Sequence, residues 1–181
     1  FVGESQANLR YTYAAKTAEK EGYRQIAAIF RETAMNEREH AARFYKFLKE
    51  EYKLETIELN EEYTAWPVVW HDTLTNLQGA IEGENDECEN MYPSFGDVAE
   101  EEGFDEIARA FRHIAHAEGA HGDRYQKLHD NVENGTVFEK EESVIWKCGN
   151  CGYLYEGKKA PKICPACRHP QEWFEVAAFN Y

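Results

Sequence analysis

The sequence predicts an all-α four-helix bundle with a long crossover connection, followed by a small β-rich metal domain. Three observations carry that expectation. The first 130 residues repeat themselves at an offset of about 80, one helix of each repeat carries a 3,4 apolar spacing, and two Cys-x-x-Cys pairs stand near the C-terminal end.

The repeat is read in short matches. Gly3-Glu4 returns as Gly83-Glu84, Glu21-Gly22-Tyr23 as Glu102-Gly103-Phe104, and Glu37-Arg38-Glu39-His40 as Glu118-Gly119-Ala120-His121. Residues 1–20 form the first expected helix, and Gly22 lies where a tight turn into the second is needed. In that second helix Tyr23, Ile26, Phe30, Thr33, Glu37, His40, Phe44 and Phe47 are spaced 3,4,3,4,3,4,3. This is the stripe of a helix buried on one face. About residues 50–75 make a long connection, with an alternating stretch at Thr56–Leu59 and with Trp66-Pro67, which suits an extended crossover. The third helix, 76–100, contains Pro93 and Gly96, which should kink or perturb it. After Gly103 the stripe recurs as Phe104, Ile107, Phe111, Ile114, Glu118, His121, Tyr125 and Leu128. Two helical hairpins joined by a long crossover have the ferritin-like topology. Residues 1–130 are thus expected as the helical domain, 131–143 as a polar linker, and 144–181 as the metal domain.

Two features of the stripes need explanation. Glu37, His40, Glu118 and His121 occupy positions where Leu or Ile would ordinarily sit, and an unpaired buried charge costs several kcal/mol. In Glu-x-x-His both side chains share one helical face. Two such pairs plus one Glu from each remaining helix is the di-iron or di-manganese pattern of ferritin-like bundles. Glu4 and Glu84 supply the single carboxylates, 33 and 34 residues before Glu37 and Glu118. One Glu-x-x-His on an acidic helix is a common accident; two at corresponding repeat positions, each with a matched Gly-Glu, are not. Four carboxylates neutralise two divalent ions, and oxygen and nitrogen donors suit iron or manganese better than structural zinc. Glu87 breaks the symmetry, standing one turn after Glu84 where the first half has Ala7. Tyr11 and Tyr92, two turns beyond Glu4 and Glu84, can donate hydrogen bonds to ligand carboxylates, although a packed aromatic is the commoner role. Cys88 reads as a small packed residue.

Cys148, Cys151, Cys164 and Cys167 make two Cys-x-x-Cys pairs with a twelve-residue spacer. Four thiolates from two turns form a tetrahedral sulfur site for zinc or iron. Gly152 fits a tight turn after the first pair, whereas Arg168 in the corresponding place makes the second turn less regular. Trp146, Tyr153, Tyr155, Trp173 and Phe174 are the expected core of this domain. Five cysteines so arranged indicate metal binding in a reducing compartment rather than a secreted disulfide framework.

The formal charge of −14 argues against nucleic acid and favours cations or a basic partner. No apolar run approaches a membrane span, and no signal peptide is visible.

The stretches Gly3-Glu4-Ser5-Gln6-Ala7, Glu37-Arg38-Glu39-His40-Ala41, Met91-Tyr92-Pro93-Ser94-Phe95 and Cys164-Pro165-Ala166-Cys167 resemble the rubrerythrin family, and the likeness extends over essentially the whole chain. The resemblance implies two irons bridged by Glu37 and Glu118, with Glu4, Glu84 and His121 as terminal ligands. It implies that His40 and Glu87 exchange at one iron as its oxidation state changes, and that Tyr11 and Tyr92 support the ligands. It also resolves the four-cysteine site towards iron, in a rubredoxin-like domain that relays electrons. The implied activity is reduction of hydrogen peroxide to water in oxidative-stress defence, with electrons from a reductase or rubredoxin. A homodimer is implied, one subunit's rubredoxin-like domain serving the other's di-iron site, in the cytoplasm. The competing readings are ferroxidase or iron storage, which leaves the four-cysteine domain unexplained, and a structural protein with two zinc sites.

Overall fold

The computed structural model describes residues 1–53, 56–58 and 67–180. Five helices, α1 (Val2–Lys20), α2 (Arg24–Tyr52), α3 (Thr73–Asp86), α4 (Tyr92–Glu101) and α5 (Asp105–Glu133), make the bundle. A π-helical turn at Glu87–Met91 joins α3 to α4, so the two act as one interrupted third helix of a four-helix bundle. α1 packs along α2, while α3 and α4 pack along α5.

Both hairpins turn by the same device. Gly22 and Gly103 have φ of +83°, a conformation glycine adopts without a Cβ penalty. Tyr23 N–H bonds the Ala18 carbonyl and Gly22 N–H that of Glu19; Phe104 and Gly103 repeat both bonds to Ala99 and Glu100. This is the Schellman closure, which satisfies carbonyls that the helix end would orphan. The crossover re-enters the bundle at Asp72, whose carboxylate accepts from Thr75 N–H at 2.8 Å and caps α3. Leu59 and Trp66 of the expected crossover lie outside the described residues.

The third helix is perturbed close to Pro93, in a specific way. Tyr92 N–H reaches back five residues to the Glu87 carbonyl rather than four, which is how a helix absorbs one extra residue without rotating the turns beyond it. The repeat offset shows the insertion: Glu4 matches Glu84 at 80, whereas Tyr11 matches Tyr92 at 81.

Apolar residues form two clusters along the bundle. Tyr11, Ile26, Phe30, Leu77, Ile81, Tyr125 and Leu128 pack together towards the α1–α2 turn. Phe44, Tyr92, Ile114 and Ala115 pack towards the other end, supported by Phe47, Met91 and Phe111. Between them along α2 and α5 lies the layer of Glu and His. Phe104 departs from its expected stripe and is 48% exposed. Its counterpart Tyr23 is covered because Phe138, beyond α5, stacks on it at 6.4 Å between ring centres. Burial at this position comes from the second domain and not from helical periodicity.

Residues 131–133 of the expected linker continue α5, which ends at Gly135 (φ +68°) in a third Schellman closure. The strand β1 (Glu139–Cys148) then begins inside the same stretch and pairs with β2 (Leu154–Lys159) and β3 (Phe174–Val176) in an antiparallel sheet of order β2-β1-β3. Trp146 and Phe174 are fully buried beneath it, with Trp146 Nε1 donating to the Gly157 carbonyl at 2.9 Å. Tyr155, expected in this core, instead lies over Gly157 at the sheet edge and is 40% exposed.

Candidate metal centres

The helices bring six ionisable side chains to one layer of the bundle. α1 contributes Glu4, α2 contributes Glu37 and His40, α3 contributes Glu84, and α5 contributes Glu118 and His121. All four carboxylates are at most 1% exposed. His40 Nδ1 stands 2.9 Å from both Glu37 Oε2 and Glu118 Oε1, and 3.9 Å from Glu4 Oε1. His121 Nδ1 stands 3.2 Å from Glu37 Oε1, 2.8 Å from Glu118 Oε2 and 3.3 Å from Glu84 Oε2. Donor atoms of Glu4, Glu37, His40 and Glu118 all lie within 4.8 Å of one another, and so do those of Glu37, Glu84, Glu118 and His121. The two quartets share Glu37 and Glu118.

Two tyrosines tie the halves together. Tyr11 Oη donates to Glu84 Oε1 at 2.5 Å, and Tyr92 Oη donates to Glu4 Oε1. Each repeat therefore holds the other's single carboxylate.

The electrostatics show what the cluster lacks. Burial, then the Glu37 charge, pushes Glu4 up to about 8. Burial also lifts Glu84 to about 7, against the lowering effect of its His121 hydrogen bond. For His40, burial works downward but hydrogen bonds to Glu118 and Glu37 outweigh it and hold the imidazole at about 10. His121 is likewise held at about 12, burial being outweighed by Glu118, Glu37 and Glu84. Glu37 is lowered, its burial outweighed by hydrogen bonds from both histidines. Even so, Glu4 Oε2 is buried without a hydrogen-bond donor, and the single Nδ1 of each histidine is shared among several carboxylate oxygens that it cannot satisfy together. Orphaned carboxylate oxygens in an apolar core are expensive. Two divalent cations would satisfy them, so the residues present fit a pair of metal ions bridged by two carboxylates.

Glu87 stands apart from both quartets. It lies half-buried in the π-turn, and its carboxyl is pushed up to about 9 by burial and then by the charges of Glu4 and Glu84. A cavity of about 300 Å³, lined by Phe44, Met91, Tyr92, Phe95 and Phe111, reaches both Glu4 and Glu87. Cys88 is half-buried beside Gly119, where an added Cβ would come within 3.0 Å of its sulfur.

In the second domain, Sγ of Cys148 lies 3.8 Å from that of Cys167, and Cys151 lies 3.7 Å from Cys164. A tetrahedral centre with metal–sulfur bonds of about 2.3 Å requires sulfurs about 3.8 Å apart. The two cysteine turns are alike: Gly152 N–H bonds the Cys148 carbonyl at 2.8 Å, and Arg168 N–H bonds that of Cys164 at 2.9 Å. Arg168 adopts φ +64° against +77° for Gly152, so the second turn is as regular as the first despite its side chain. Backbone N–H from His169 outweighs burial and lowers the Cys167 thiol to about 6, favouring the thiolate.

Sequence reasoning missed the cross-pairing of tyrosines and carboxylates, which no linear spacing reports. It missed the π-turn too, although the change of offset from 80 to 81 carries that signal.

The family profile described as Rubrerythrin matches residues 1–129, and that described as Rubrerythrin, rubredoxin-like domain matches 146–175. The chain is 59% identical to a rubrerythrin of Clostridium perfringens over its whole length and 92% of that protein. It is 46% identical to a rubrerythrin of Nitratidesulfovibrio vulgaris, again over its whole length and 92% of that protein. Among solved structures, nigerythrin in its mixed-valence state covers 97% of the chain and is itself covered over 81%, at 28% identity and a TM-score of 0.64. A bacterioferritin of Desulfovibrio desulfuricans covers 72% of the chain and is covered over 74%, at 24% identity and a TM-score of 0.63, and shares the fold of the helical domain. The carboxylate–histidine layer is that of a di-iron domain, and the four cysteines are those of a rubredoxin-like one. With both halves matched in order, and close relatives aligned from end to end, the chain belongs to the rubrerythrin family.

Proposed function

We propose that the chain reduces hydrogen peroxide to water, taking up two electrons and two protons per peroxide, and so protects the cell from oxidative damage. The observation that carries this reading is the pair of quartets sharing Glu37 and Glu118, beside a carboxylate, Glu87, that belongs to neither. Glu37 and Glu118 would hold both metals, Glu4 one of them, and Glu84 with His121 the other. Two ferrous ions held there would supply one electron each, the two that peroxide reduction takes.

The chain's own groups do the rest. His40 and Glu87 are the two groups that would serve as the remaining ligand at the metal next to Glu4, the neutral imidazole suiting a lower ion charge and the carboxylate a higher one. Without metal, burial and then the charges of Glu4 and Glu84 hold the Glu87 carboxyl at about 9. The same carboxyl borders the cavity through which an oxidant would arrive. Tyr11 and Tyr92 hold Glu84 and Glu4 in place as the charge at the site changes. The aromatic lining admits a small oxidant and limits bulk water.

Cys148, Cys151, Cys164 and Cys167 would hold a third iron, which would supply one-electron chemistry fed by a reductase or a rubredoxin, at a potential set by sulfur hydrogen bonds. Arg24, where the second domain rests, precedes Glu37 by thirteen residues of α2, a rise of about 20 Å. That separation favours a homodimer in which each rubredoxin-like domain serves the partner's carboxylate site. Four reduced thiols suit the cytoplasm, and no helix among the described residues is long and apolar enough to cross a membrane.

Stopped-flow absorption tests the reading. Anaerobically reduced, iron-loaded protein is mixed with hydrogen peroxide and, separately, with dioxygen. Faster return of the ferric–thiolate colour with peroxide is expected; faster return with dioxygen would replace the peroxidase with a ferroxidase.

A further inference from the structure

The second domain meets the helical domain around Arg24, in the first turn of α2. Its guanidinium lies 4.0 Å from the centre of the Trp173 ring. Nε donates to Glu172 at 3.1 Å, and Nη1 donates to Glu19 at 3.2 Å. Gly22 leaves room for the same contact, since a Cβ there would come within 3.3 Å of Glu172 Oε2. Trp173 is in turn joined to both cysteine turns. Its carbonyl accepts the N–H of Gly149, next to Cys148, at 2.7 Å, and its ring packs edge-on against His169, two residues after Cys167, at 5.1 Å.

We infer that Arg24 is a positioning residue for electron delivery: by clamping Trp173 and Glu172 onto the α1–α2 turn, it fixes where the four-cysteine centre stands on the bundle. The inference rests on the reading of that centre as an electron relay. One electron leaves the centre per transfer, and two transfers restore what one peroxide consumes, the donor being a one-electron reductant outside the chain. Arg24 touches neither metal site. It acts through an aromatic ring that a planar cation can grip by its face while its N–H groups bond a carboxylate on the same domain. In a dimer the clamp also sets where each four-cysteine centre stands against the partner's carboxylate layer.

The test compares iron-loaded wild type, Arg24→Gln and Arg24→Lys. In the Gln variant, hydrogen exchange at the Gly149 amide should rise about tenfold as the domain loosens. Return of the ferric–thiolate colour after peroxide should slow about threefold or more through misplacement. Iron content and the rate of peroxide consumption in a single turnover should stay as in wild type. Removing the positive charge should lower the reduction potential of the four-cysteine centre. Lys, which keeps the charge but not the planar fork, should restore the potential and recover only part of the exchange and rate changes. Wild-type exchange and colour return in the Gln variant would overturn the inference, as would equal loss of iron in both variants. If reduced wild type fails to react with peroxide at all, the proposed function falls, while Gly149 exchange still decides whether the clamp exists.

Discussion

The Tyr11 hydroxyl donates to Glu84 at 2.5 Å across 73 residues of sequence, and both groups are buried. Tyr92 does the same for Glu4. A buried carboxylate oxygen that loses its donor carries a desolvation penalty of about 1–3 kcal/mol. Tyr11→Phe and Tyr92→Phe should each lower holoprotein stability by about that amount in urea titrations. Neither hydroxyl belongs to a quartet, so two irons per helical domain should remain by elemental analysis. Loss of iron in either variant would show that the tyrosines do more than orient.

Membership of the quartets makes the carboxylates unequal. Glu37 and Glu118 belong to both, whereas Glu4, Glu84, His40 and His121 belong to one each. Glu118→Ala should therefore empty the whole helical site, and His121→Ala should weaken one position only. Elemental analysis with the four-cysteine iron as internal standard checks this, and equal losses in the two variants would contradict the sharing.

Acidity should act in opposite directions on the metal-free and loaded protein. Without metal, Glu4 and Glu84 titrate at about 8 and about 7, above the ordinary carboxylate value, chiefly through burial. Their contribution to stability is full below about pH 4.5 and is lost as pH rises through 7 and 8. His40, raised to about 10, is fully stabilising below its ordinary value of 6.5 and loses that progressively as pH rises from there to about 10. Glu37, which is lowered, works the other way but only below the ordinary carboxylate range. The melting temperature of metal-free protein should fall between pH 5 and 9, by about 2–4 °C per kcal/mol lost. Metal binding releases these protons, so the rise in melting temperature on adding ferrous ion should grow over the same range. A metal-free melting temperature that climbs with pH would refute the picture.

The left-handed turn at Arg168 carries a steric penalty of about 1 kcal/mol that Gly152 avoids. Arg168→Gly should raise the thermal midpoint of the four-cysteine domain, and Gly152→Ala should lower it. Nothing crowds a Cβ at Gly152, so its change reports backbone strain alone. The ferric–thiolate absorption, followed on heating, reads both.

Much of the bundle was legible because periodicity and chemistry pointed the same way. Glu37, His40, Glu118 and His121 interrupt apolar stripes at corresponding positions, and the structure gathers them in one layer with Glu4 and Glu84. Phe104 was misjudged because a stripe reports a helix face and not what covers its end. Arg168 was misjudged because a non-glycine residue does adopt a left-handed turn when the thiolate geometry around it demands one. The partners of Tyr11 and Tyr92 arise from the pseudo-symmetric apposition of two hairpins, which exists only in three dimensions.

The π-turn takes up the one residue by which the two halves differ. Glu84 and Tyr92 are eight positions apart, Glu4 and Tyr11 seven. The helix keeps its phase on either side, so Glu84 and Tyr92 still answer to Glu4 and Tyr11. The change is confined to one bulge, and the residue it carries towards the site is Glu87, where the other copy has Ala7. One residue more in one half thus gives a repeated scaffold two unlike ends at its carboxylate layer without a change in either helix's phase. The same signature, an offset that slips by one beside a ligand, is a mark to look for in other internally repeated bundles.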